Sequence, residues 1–129
     1  MSVSEGYRTY IIEQLGTLPG LSTRRMFGGI GLYSVDWFFA LIDDDVLYFK
    51  VGDSNRDDYV SRGMKAFKPS PDAPTLGYFQ VPADVIEEAE ELTRWARRSV
   101  EVAQRAGSKN RVRLKPDPQK KRKKPARKK

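Results

Sequence analysis

The sequence predicts an α+β domain in which helices pack on a mainly antiparallel, five-stranded sheet. Three observations carry that expectation. Apolar residues recur at three- and four-residue steps near both ends of the first 106 residues. Between them lie short aromatic-rich runs separated by turns too brief to hold a crossover helix. The 129 residues, 39% hydrophobic and 11% aromatic, suffice for one core and not for two.

The elements follow in order. Ser2, Val3, Ser4 and Glu5 read as a capping box, and Tyr7, Tyr10, Ile11, Leu15 and Leu18 continue at helical spacing, so a helix is expected over 3–16, stopped by Gly16, Pro19 and Gly20. From residue 22 to 51 the runs RRMFGGIGLYSV, WFFALI and VLYFKV, broken near Asp36 and at Asp43, Asp44 and Asp45, predict three strands of a meander. DSNRDDYVSRGM predicts a two-turn helix with Asp53 or Ser54 as N-cap, Gly63 in the left-handed position past its end, and Met64 folding back onto Tyr59. MKAFKP and LGYFQVP predict two more strands joined by a Pro-rich loop over 69–74. Pro82 then opens a last helix with Val85, Ala89, Leu92, Ala96 and Ala103 on one face beside Trp95. Its acids come early and its arginines late, complementing the helix dipole, and Gly107 ends it. The predicted order is α-β3-α-β2-α, a two-layer arrangement.

Charge divides the chain more sharply than hydropathy does. Residues 1–107 carry 12 Lys/Arg and 16 Asp/Glu, net −4, whereas residues 108–129 carry 12 Lys/Arg and one acid, net +11. The expected organisation is a folded domain over 1–106 and a disordered Lys/Arg-rich tail over 107–129. The tail residues Lys120, Lys121, Arg122, Lys123, Lys124, Arg127, Lys128 and Lys129 are candidates for contact with phosphates of DNA or RNA, non-specific and salt-dependent because it works by counterion release. No aromatic interrupts the run to stack on bases, and a merely solubilising tail is the alternative.

Cysteine and histidine are both absent. That removes disulfides, thiol nucleophiles, the usual zinc ligands and the commonest general base near neutral pH. No enzyme activity, cofactor, metal or small-molecule substrate is expected. Without a secretion signal or an apolar run of membrane-spanning length, a cytoplasmic protein with no membrane partner is expected.

Four stretches could still carry function. The glycines at 28, 29 and 31 resemble a phosphate loop, but a strand follows them instead of a helix, and no lysine stands at the required spacing, so they are expected to shape backbone. Asp43, Asp44 and Asp45 are adjacent acids in a hairpin and read as a solvated turn. Arg24 and Arg25 are candidate phosphate contacts, with solvation or pairing to local acids as the alternative. Trp37, Phe38, Phe39 and Tyr48 are apolar residues that must serve both faces of a sheet whose helices cover one, so they are candidates for contact with a homodimer or a regulatory protein partner, with ordinary tolerated surface aromatics as the alternative.

RRMFGGIGLY, FALIDDDVLYFKV, YVSRGMKAF and YFQVPADVIEEAEELTRWAR, in this order and spacing over residues 5–104, resemble the N-terminal domain of the TfoX/Sxy family of bacterial competence regulators. The resemblance implies a secretion-chaperone-like α+β fold and a non-enzymatic, regulatory role in transcription. It places Arg25, Met26, Phe27, Gly28, Gly29, Gly31, Leu32, Tyr33, Leu47, Tyr48, Lys50, Val51, Gly63, Met64, Phe67, Tyr78, Val81 and Pro82 on characteristic positions. Full-length members carry a second, helical domain; here the basic tail follows instead. Where the family often has Asp-Gly-Lys in a hairpin, this chain has Val35, Asp36 and Trp37.

Overall fold

The sheet is a chain of hairpins. In the computed structural model, which describes residues 3–26, 28–68, 70, 72 and 77–107, a helix α1 (Glu5–Gln14) precedes strands β1 (Leu21–Met26), β2 (Gly29–Ser34), β3 (Trp37–Asp43) and β4 (Val46–Lys50). Helix α2 (Arg56–Val60), strand β5 (Tyr78–Gln80) and helices α3 (Ala83–Ile86) and α4 (Ala89–Ala106) follow. The strands lie in chain order, each antiparallel to its neighbour.

Two tight turns set the register. Val35 and Asp36, with φ of 48° and 70°, join Ser34 to its partner Trp37, and Asp44 and Asp45, with φ of 54° and 59°, join Asp43 to Val46. Left-handed conformations at both central residues match the twist of the strands they connect. The three aspartates thus form a turn as expected, and Asp45 also reaches the first helix. Its Oδ1 accepts the Ser4 N–H at 2.8 Å, while the Ser4 hydroxyl accepts the Tyr7 N–H at 3.2 Å. Ser4 caps α1 and is itself held by a residue 41 positions away.

The α+β class and the five antiparallel strands agree with the sequence expectation; the element order differs in three places. RRMFGGIGLYSV is a hairpin rather than one strand, with β1 and β2 turning at Gly28, φ 77°. MKAFKP supplies only an isolated bridge, Ala66 to Phe79, flanked by Phe67 N–H to the Tyr78 carbonyl (2.7 Å) and Gln80 N–H to the Lys65 carbonyl (2.9 Å). The last helix is divided at Glu87 and Glu88, where Glu88 is extended (φ −108°, ψ 102°). Gln14 Nε2 donates to the Ile86 carbonyl at 2.7 Å, which satisfies a group left over at the end of α3 and ties α1 to the break.

α4 lies across the inner sheet face. Leu92, Ala96, Ser99 and Ala103 are buried on it, and the small residues allow close approach. Ser99 Oγ donates to the Lys50 carbonyl at 2.8 Å, and a Cβ at Gly52 would come within 2.9 Å of Val102. The core holds Ile11 and Leu15 of α1, Leu32, Phe39, Ala40, Ile42, Leu47 and Phe49 of the sheet, and Leu92 and Ala96 of α4. Gly63, φ 70°, is left-handed just past α2 and Met64 N–H returns to the Tyr59 carbonyl at 3.1 Å, as the sequence predicts, but the N-cap of α2 is Asn55, without a side-chain cap bond, rather than Asp53 or Ser54.

One irregularity decides which aromatics face inward. Leu32 pairs with Ala40 but Tyr33 pairs with Phe38, so β3 carries an extra residue, Phe39, in a bulge. Phe39 and Ala40 both join the inner core, while Phe38 and Leu41 pack on the outer face.

Candidate functional site

The outer sheet face carries a connected set of rings. Tyr33 and Phe38 have centroids 5.1 Å apart, Phe38 and Tyr78 5.4 Å, and Tyr48 and Phe67 4.9 Å. The bridge at Ala66 brings Phe67 over this face, and Leu41, Phe67 and Tyr78 are buried there. Two cations border the rings: Lys50 Nζ lies 5.0 Å from the Tyr78 centroid and the Arg24 guanidinium 5.7 Å from that of Tyr33. Burial lowers the Lys50 ammonium pKa below its usual value. Burial first, then the nearby carboxylates of Asp43 and Asp44, raises that of the Tyr48 phenol.

Of the four expected interface residues, Phe38 and Tyr48 are half-buried on this outer face and Trp37 is half-buried at the start of β3. Phe39 does not belong with them. It is fully buried against Phe49, centroids 5.6 Å apart, because the bulge turns it inward. Trp37 instead lines a groove of about 350 Å³ between the β2–β3 turn and the second half of α4, with Pro19, Val35, Arg97 and Val100 among its walls. Val35, 58% exposed, stands at its rim.

Arg24 and Arg25 lie on β1, the strand at the sheet edge away from β5. They line a cleft of about 320 Å³ with Val3, Glu5 and Arg8 of the N-terminal segment and α1, Thr23, and the backbone of Gly28 and Gly29. Arg8 Nη2 donates to Thr23 Oγ1 at 3.4 Å, and Arg8 Nη1 stands 3.8 Å from Glu5 Oε1. Sequence reasoning found Arg24 and Arg25 but missed Arg8 and Thr23. The signal that could have found Thr23 is its two-residue step from Arg25, which puts both on one strand face.

The glycines next to this cleft serve the backbone. A Cβ on Gly29 would collide with the carbonyl oxygen of Ile42, and one on Gly31 would meet the Met26 thioether end at 2.7 Å and the Phe38 ring at 3.1 Å. Phe27 and the tail residues Lys120, Lys121, Arg122, Lys123, Lys124, Arg127, Lys128 and Lys129 lie outside the described residues. Among the described residues no group of three or more carboxylates is placed to hold a metal ion, and no helix is long and apolar enough to cross a membrane.

No curated protein matches the chain. Residues 13–103 match the family model described as the TfoX N-terminal domain.

Proposed function

Since this chain belongs to the TfoX N-terminal domain family, we propose that it is a non-enzymatic regulatory protein that associates with nucleic acid without sequence preference through its basic tail. The observation that carries the reading is the charge division: net −4 over residues 1–107 and net +11 over residues 108–129. A cationic segment gains free energy by releasing counterions from phosphates, whereas the acidic domain is repelled by the same polyanion. The domain therefore presents its own surfaces while the tail supplies attachment. Binding of random-sequence duplex DNA by the full chain and by a chain ending at Ala106, across a salt series, tests this. The full chain is expected to bind with log K falling by roughly 0.9 per phosphate neutralised for each decade of salt, and the shortened chain to lose that affinity. Equal binding by both would move the contact to Arg24 and Arg25.

A second reading, a protein-interaction module, is favoured by the groove beside Trp37, where exposed Val35 adjoins Pro19 and Val100. A mass in solution that rises with concentration, and falls back to the monomer on Val35→Asp substitution, is the expected outcome for self-association through it.

A further inference from the structure

We propose that the cleft between α1 and the edge strand β1 is a binding site for the phosphate group of a small phosphorylated molecule, held by Arg8, Arg25 and Thr23 with Arg24 at the rim. Charge and shape point the same way. In a domain whose net charge is −4, three arginines converge on one cleft whose single acid is Glu5. Three arginines of the helical half are committed elsewhere: Arg62 to Asp84 at 3.1 Å, Arg94 to Glu91 at 2.6 Å and Arg98 to Asp58 at 2.5 Å. Among the described residues neither Arg24 nor Arg25 has a carboxylate within salt-bridge distance, and the Arg8–Glu5 pair is long and its acid largely exposed. Such a pair is worth little and gives way to a better anion.

The geometry supplies different kinds of donor. Thr23 and Arg25 leave β1 on the same face, and the bond from Arg8 to Thr23 shows that this face meets α1. The Arg8 guanidinium, the Thr23 hydroxyl it bonds and Arg25 thus line one cleft, a donor set that suits a tetrahedral oxyanion. Arg24 leaves the strand on the other face and approaches Tyr33, so it closes the rim rather than the floor. Arg8 and Arg25 against Glu5 leave a net positive charge in the cleft, to which Arg24 adds from the rim, and a phosphate monoester near −2 is attracted by it more strongly than a carboxylate. Gly28 and Gly29 bring backbone without side chains to one wall, which keeps it open. A concave site of about 320 Å³ is at the lower end of the range for small-ligand sites and holds a group of that size. The proposed donors are residues of the domain and not of the tail, and the following experiment separates the two.

Inorganic phosphate is titrated into the full chain at constant ionic strength, following backbone amide resonances, with acetate and chloride as controls and a short DNA duplex as a further arm. Saturable shifts confined to residues 8 and 23–30 with phosphate, weaker by tenfold or more in acetate, are expected. Arg25→Gln and Arg8→Gln should each raise the dissociation constant about tenfold or more with the remaining spectrum unchanged, as loss of a charge-assisted bond implies. Replacing the tail lysines and arginines by glutamine should leave phosphate binding at the cleft unaltered while removing DNA binding. Shifts spread over the surface, equal shifts with acetate, or cleft shifts produced by the duplex but not by phosphate would overturn the assignment.

Discussion

The two faces of the sheet are both apolar, yet they are built differently. The inner face meets the helices through aliphatic side chains and three phenylalanines, Phe39, Phe49 and Phe79, with Ala96, Ser99 and Ala103 keeping α4 close. The outer face is a set of rings, three of them phenols, bordered by Lys50 and Arg24 and partly covered by Phe67. Close packing of shapes holds the first; ring contacts that tolerate charge at their margins make up the second. An apolar sheet face therefore need not wait for another molecule, since a bridge as short as Ala66 to Phe79 brings a cover to it.

Substitutions on the two faces should separate these modes of packing. Phe39→Ala should destabilise by about 3–5 kcal/mol in urea unfolding, since the ring is fully buried, and Phe38→Ala, half-buried one residue earlier, by about half as much. Equal losses would mean that the bulge does not sort the two rings. Gly29→Ala should cost about 1–3 kcal/mol, because its methyl meets a backbone carbonyl that cannot move aside, whereas Gly31→Ala, meeting the flexible end of Met26, should cost less than about 1 kcal/mol. Val35→Asn should stabilise by about 1 kcal/mol, seen as a rise in Tm, since a β-branched residue is held at φ 48° in the β2–β3 turn.

Alkaline pH probes both faces at once. Burial raises the phenols of Tyr59 on the inner side and Tyr78 on the outer side above their ordinary value, so the folded chain keeps these protons after the unfolded chain has released them. Their contribution is complete below about pH 10 and is lost as pH climbs beyond it. The urea midpoint should therefore fall above pH 10, and Tyr78→Phe should make that fall shallower. Lys50 acts in the opposite sense: its pKa is lowered by burial, so the folded state gains stability as pH rises towards the ordinary lysine value. Lys50→Met should remove that gain.

What could be read in advance was whatever depends on neighbours along the chain. Gly63 and Gly107 as left-handed stops, the aspartates at 43–45 as a turn and the alternation of Leu47, Tyr48 and Phe49 are all local signals, and each has its expected role, whereas α1 is capped by Ser4 and so starts two residues later than expected. The misses depend on distant partners. Glu87 and Glu88 are good helix formers, and the break there is stabilised by Gln14, 72 residues from Ile86. The inward turn of Phe39 follows from pairing with β2, and the hairpin inside RRMFGGIGLYSV was hidden because glycine serves strand and turn alike. The same holds for the cleft. Arg24 and Arg25 were visible as a pair, but Arg8 reaches Thr23 only after α1 docks on the sheet.

The order of the strands also has a kinetic consequence. β1 to β4 pair strictly with their successors, and each of the three links is two residues long, so the loops closed are among the shortest a sheet allows. Such hairpins form in microseconds, and local contacts of this kind favour fast folding. The slow step falls later in the chain: β5 must return to β4 across the 27 residues from 51 to 77, and α4 must then seat on the inner face. On a ribosome, the first 50 residues emerge with their strands able to zip while the helix that shields Phe39, Ile42 and Phe49 is still being made.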